Sequence, residues 1–70
     1  MNALAQIDRR ADSILRISDV RRRTGLSTAT IYRREAARTF PRKQHLGPKM
    51  VGWYQSDVDA WVADPVGYRS

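Results

Sequence analysis

The sequence predicts an α+β fold that is mainly α, built from three short helices and one β-hairpin. Three observations predict it. Residues 24–34, TGLSTATIYRR, place a glycine two positions before a serine and then run on without Pro or Gly, which reads as helix end, tight turn and helix start. Gly47-Pro48-Lys49 separates two short runs, residues 43–46 and 50–54, and a Gly-containing three-residue loop between such runs signals a hairpin. Val58, Trp61 and Val62 fall at i, i+3 and i+4 behind Ser56, an apolar stripe at helical spacing. Two helices joined by a short turn, then a hairpin, make a small winged helix-turn-helix.

Seventy residues make one small domain, which buries only about 60% of its unfolded surface and so has a thin core. There are no cysteines, so no disulfide framework or thiolate zinc site is expected. No apolar run approaches the roughly 18 residues of a membrane span, and the N-terminus lacks the apolar core of a signal peptide, so a cytoplasmic location is expected. The net charge of +6 is unevenly placed: residues 16–49 carry ten Lys or Arg against Asp19 and Glu35, residues 1–15 balance, and residues 50–70 sum to −2. A basic middle between a neutral head and an acidic tail argues for a polyanion partner on one face. Arg outnumbers Lys eleven to two, and the planar guanidinium fork suits phosphate and guanine edges.

In chain order, residues 1–13 read as a flexible arm in which Arg9 and Arg10 could touch phosphate. Residues 14–17, ILRI, fit a brief strand. Ser18 is the expected cap of a first helix over residues 19–24, with Asp19 in its first turn and Val20 turned inward. Arg21, Arg22 and Arg23 sweep most of one turn, so one or two of them can reach a DNA backbone while the rest are solvated. Gly25 and Leu26 form the turn, and Ser27 caps a second helix over residues 28–38, about 16 Å long and suited to a major groove about 12 Å wide. Ile31 is its core residue, with Ala36 or Ala37 helping. Thr28, Ala29, Thr30, Arg33 and Arg34 form its outward set: hydroxyls and methyls that can read base edges, and arginines for guanine or phosphate. Tyr32 either packs or completes the core while its hydroxyl reaches a phosphate. Glu35 is expected to pair with Arg38.

Phe40 reads as a core plug, with Pro41 holding it extended. In the hairpin, a wing, Arg42, Lys43, His45 and Lys49 supply charge for the DNA backbone or minor groove. His45 is the single histidine and has no companion ligands in the hairpin, so it is read as solvent- or phosphate-facing and no metal is expected. Trp53 should be buried and Tyr54, on the other strand face, more exposed. Ser56 is the expected cap of the last helix, with Asp59 completing a capping box, and Asp64-Pro65 ends it. The chain thus divides into an arm (1–13), a DNA-binding domain (14–63) and a tail (64–70).

The runs ILRISDVRRRTGLSTATIYRR, FPRKQHLG and VGWYQSDVDAWV cover nearly all of residues 14–62. Together they resemble the AlpA-like phage and prophage regulators, small winged-helix proteins related to the DNA-binding half of MerR regulators and to phage excisionases. The resemblance implies a protein that binds double-stranded DNA, with Ser27, Thr28, Thr30, Tyr32 and Arg33 on the recognition element and residues 47–49 on the wing. Pro48 stands where the family more often has a second Gly or other small residue. Members activate or repress promoters or bend DNA as excision factors.

A sequence-specific DNA-binding regulator is therefore the leading expectation, with an excisionase-like factor that bends DNA as the alternative on the same fold. One such module covers only about 600–1,000 Å² on DNA, so self-association or cooperative binding to repeated sites is expected. A protein-interaction adapter would leave the arginines unexplained, and RNA binding would want an exposed aromatic sheet or a GxxG loop. No nucleophile–base pair, metal cluster or phosphate-cradling Gly-rich loop suggests an enzyme, and no cofactor, small-molecule ligand or membrane partner is expected.

Overall fold

The computed structural model describes residues 9–70. Its elements are β1 (Ile14–Leu15), α1 (Ile17–Thr24), α2 (Thr28–Ala36), β2 (Gln44–Gly47), β3 (Met50–Tyr54) and α3 (Gln55–Ala63). The three strands form one antiparallel sheet in the order β1-β3-β2. This is an α+β, mainly helical arrangement compatible with a small winged helix-turn-helix. No helix among the described residues is long and apolar enough to cross a membrane.

The core lies between the sheet and the helices. Leu15 and Trp53 enter from the sheet, Val20, Ile31, Val58 and Trp61 from the helices, and Phe40 from the segment between α2 and β2. Both indoles hold that segment: Trp61 Nε1 donates to the Thr39 carbonyl and Trp53 Nε1 to the Pro41 carbonyl, each at 3.1 Å. Phe40, between those carbonyls, is fully buried and meets the Trp61 ring at 5.2 Å. Each indole N–H that enters the core thus finds a partner, which removes the main cost of burying it.

The helix starts differ from the sequence reading at two of three places. α1 begins at Ile17, with Arg16 as the N-cap in extended geometry and no side-chain cap. Ser18, the expected cap, lies inside the first turn. The Arg16 carbonyl takes the amides of Asp19 and Val20, each at 3.0 Å, and the earlier start packs Ile17 against the core beside Leu15 and Val20. Gly25 ends α1 in the left-handed region at φ 75, its amide bonded to the Arg21 carbonyl. Ser27 caps α2 as expected, its Oγ accepting from the Thr30 amide at 3.2 Å. α3 starts at Gln55 directly off β3, with Tyr54 at the cap position and no capping side chain of its own. Its first amides bond instead to the segment before β1: Gln55 N donates to the Ser13 carbonyl at 2.8 Å and Ser56 N to Asp12 Oδ1 at 3.2 Å. Ser56 is therefore no cap; its hydroxyl donates to Asp12 Oδ2 at 2.6 Å. Asp59 makes no capping box and pairs with Arg23 at 2.9 Å.

α2 is shorter than predicted. It stops at Ala36, and Arg38 turns the chain at φ 63. The Thr39 amide reaches back to the Arg34 carbonyl at 2.9 Å and the Arg38 amide to the Glu35 carbonyl at 3.0 Å, the paired bonds that close a helix end around a left-handed residue. The early stop lets Phe40 and Pro41 enter the core. Ala36 and Ala37 are exposed because Phe40 and the two indoles fill the space expected of them. Val62 is likewise 46% exposed. Trp61 and Val62 lie to either side of Val58, about 100° apart around the axis of α3, and Phe40 packs on Trp61.

In the hairpin, Gly47 pairs with Met50, so the turn is the two residues Pro48-Lys49 rather than three, and Lys49 has φ 58. The register slips between His45 and Gly47, leaving Leu46 as an extra residue, a β-bulge. Gly52, in the central strand, is closely approached from both sides: a Cβ there would lie 3.0 Å from the Leu15 carbonyl oxygen and 3.1 Å from Leu46 Cδ1.

The arm expected over residues 1–13 falls, for residues 1–8, outside the described residues. Arg9 stacks on the Tyr54 ring at 4.0 Å and reaches Asp12 at 3.0 Å and Asp57 at 3.4 Å. At the other end Tyr68 packs on the core, and Ser70 N bonds to the Arg38 carbonyl at 3.0 Å.

Candidate nucleic-acid interface

α1, the turn and the first residues of α2 form one surface. Thr24 ties the turn to α1: its hydroxyl donates to the Val20 carbonyl at 2.7 Å and accepts from the Leu26 amide at 3.2 Å. Leu26 packs partly against the core, which sets the angle at which α2 leaves. Ile31, fully buried, then fixes the rotation of α2. With Ile31 inward, Ala29, Tyr32 and Arg33 are exposed and Thr28, Thr30 and Arg34 are half-buried. The polar side chains at the helix start form a chain: Ser27 Oγ and Thr30 Oγ1 lie 3.0 Å apart, and Arg33 Nη2 donates to Thr30 Oγ1 at 3.4 Å. The capping bond therefore also orients Thr30, and through it Arg33.

The other arginines divide by partner. Arg22 is bonded to Asp19, and Arg23 to Asp59. These are exposed pairs, typically worth about 0–1 kcal/mol, which a phosphate can displace at little cost. Arg21, Arg34 and Arg42 carry no side-chain hydrogen bond or ion pair among the described residues. Arg16 and Arg38 share that state, and no sequence pattern marks either for DNA; their exposure follows from where α1 starts and α2 stops. Arg9 is committed to Asp12, Asp57 and Tyr54 rather than standing ready for phosphate.

A cleft between α2 and β2 is lined by Tyr32, Glu35, Ala36, Arg42, Lys43 and His45. Glu35 pairs here, not with Arg38: its carboxylate takes the Lys43 ammonium at 3.1 Å and also the Lys43 amide. Only 11% of the Glu35 side chain is exposed, so Lys43 is held more firmly than Arg22 or Arg23. Lys43 precedes β2 and its ammonium lies 5.5 Å from the Tyr32 ring centre. Tyr32 lies against the buried Trp53, ring centres 6.1 Å apart, while remaining 37% exposed. His45 is exposed on β2, and Lys49 at the hairpin tip. The structure thus brings Tyr32, Arg42, Lys43 and His45 to one cleft, and groups Ser27, Thr30 and Arg33 at the start of α2.

Residues 13–66 match the family described as Prophage CP4-57 regulatory protein (AlpA). The chain belongs to that family. All six secondary-structure elements lie inside the AlpA-family span. The DNA-binding transcriptional activator AlpA of Escherichia coli (strain K12) is 41% identical over 64 residues, covering 80% of this chain and 89% of that protein. Uncharacterized protein ORF88 of Enterobacteria phage P4 is 38% identical over 58 residues, covering 83% of this chain and 66% of that protein. No solved structure matches the chain.

Proposed function

We propose that the protein is a regulator that binds double-stranded DNA, with α2 in the major groove and the β2–β3 hairpin on the adjacent backbone or minor groove. One observation carries the reading: the Ser27-capped start of α2 presents the linked Thr30 and Arg33, and exposed basic residues of α1 and the hairpin lie to either side. Nine residues of helix are about 13 Å long, matched to a groove about 12 Å wide. Arg33 and Thr30 are the base-reading pair, since a guanidinium can grip guanine and a hydroxyl can serve either base edge. Arg21, Arg22, Arg23, Arg34, Arg42 and Lys49 serve phosphates. Similarity to the DNA-binding transcriptional activator AlpA of E. coli supports the same class for this protein. Its small size favours cooperative binding to repeated sites.

Selection of bound duplexes from a random pool at near-physiological salt tests this. A recovered motif supports a site-specific regulator. Recovery of many unrelated sequences points to an architectural, DNA-bending role, and no recovery with folded protein moves the reading to RNA or a protein partner. If about five phosphates are neutralised, log K should fall against log salt with a slope near −4.5; a slope near zero overturns the reading. Arg33→Ala should weaken binding to the selected site by about 1–3 kcal/mol while changing unrelated duplexes less. An equal loss on every duplex would reassign Arg33 to phosphate.

A further inference from the structure

Two non-glycine residues among the described residues have positive φ, Arg38 at 63° and Lys49 at 58°. L-residues other than Asn and Asp seldom occupy this region, because Cβ crowds the backbone. Local geometry would be better served by Gly at both. Arg38 ends α2 where Gly is the usual residue. Lys49 follows Pro48 in a two-residue turn, and a turn with Pro first and a left-handed second residue ordinarily takes Gly or Asn there. Yet both positions hold a long cation. Lys and Arg are 13 of 70 residues, so chance would seldom fill both. Both side chains are exposed and hold no hydrogen bond or ion pair among the described residues, so neither is kept for a contact within the fold.

Each is also held in place by its surroundings. Arg38 sits between two helix-closing bonds, with its carbonyl taken by Ser70 N. Lys49 is fixed by the Gly47–Met50 pair and the ring of Pro48. Strained residues persist where the fold over-determines them, and such outliers cluster at functional sites.

We propose that Arg38 and Lys49 are phosphate-contact residues retained against the backbone's preference, so that at these two positions fold stability and DNA affinity oppose each other. Arg38 is the added contact, just past the end of α2; Lys49 is the one at the hairpin tip. The inference rests on the DNA-binding reading and extends it to a residue that sequence reasoning did not place on DNA. Ordinary exposed cations behave otherwise: removing them lowers affinity and leaves stability nearly unchanged.

The test uses the full chain with Arg38→Gly and Lys49→Gly, and Arg38→Asn and Lys49→Asn as second variants that accept the same backbone. Thermal melts and duplex binding at several salt concentrations are measured for each. Each substitution should raise Tm by about 4–8 °C, weaken binding several-fold at low salt, and reduce the magnitude of the log K against log salt slope by about 0.9. A raised Tm with unchanged affinity and slope overturns the inference alone. So does a lowered Tm in both the Gly and the Asn variant at a position. Failure of the unsubstituted protein to bind any duplex overturns the DNA reading, and this inference with it.

Discussion

The starts of α2 and α3 solve the same problem in different ways. Each must satisfy the first amides of a nine-residue helix, groups that cost free energy if left unpaired. α2 does so locally, with Ser27 three residues ahead of the amide it accepts. α3 does so from the other end of the chain, with Ser13 and Asp12 reaching across more than forty positions. The local cap leaves the Thr30 and Arg33 side chains bonded, among the described residues, only to each other and to Ser27, where the proposed interface lies. The remote cap ties the segment before β1 to α3. Anchorage differs too: α2 has one buried side chain, Ile31, while α3 has two, Val58 and Trp61.

Substitutions can break this contrast in order of size. Ile31→Ala removes the single buried side chain of α2 and should cost about 2–5 kcal/mol of stability, read by urea or thermal unfolding; an unchanged melt would show that α2 is held by its turn alone. Ser27→Ala should cost about 1 kcal/mol and disorder the Thr30–Arg33 link, so affinity for the selected duplex should fall more than stability. If the two fall together, the cap does no more than stabilise the helix. Asp12→Asn should have the smallest effect of the three, a loss present at neutral pH that disappears in acid. Donation from the Ser56 hydroxyl, opposed by burial and aided by the Ser13 amide, holds the Asp12 carboxyl at about 2, below its ordinary 3.8. Its contribution is therefore complete above about pH 3.8 and is lost as pH falls through about 2. A Tm profile from pH 5 to 1.5 should fall less steeply in Asp12→Asn than in the unsubstituted protein; parallel profiles would mean the carboxylate makes no net contribution.

The same contrast explains what was legible in the sequence. Gly25, Ser27 and Ile31 were, because each acts on neighbours within one helical turn. Phe40, Trp53, Val58 and Trp61 were, because large apolar side chains in so small a chain have one place to go. Ser56 resembled a cap because nothing nearby in sequence shows that Asp12 takes its amide. Ser18 resembles one too, but packing of Ile17 against the core starts α1 two residues earlier. Ala36 and Ala37 followed helical spacing, but Phe40 needed the space. For the interface, residue types and order could be read, but which cations are already engaged could not. Lys43 on Glu35, Arg23 on Asp59 and Arg9 on Asp57 are all pairings between separate segments.

The two indoles bound to the carbonyls of Thr39 and Pro41 also determine what light can report. Trp53 and Trp61 are 0% and 5% exposed, and both face one short crossing segment. Their emission should be blue-shifted and poorly quenched by iodide while that segment is closed, and should move to the red when it opens. Both fluorophores then report one event, the loss of the crossing, while a ligand arriving at Arg33 on the outer side of α2 should leave the spectrum nearly still.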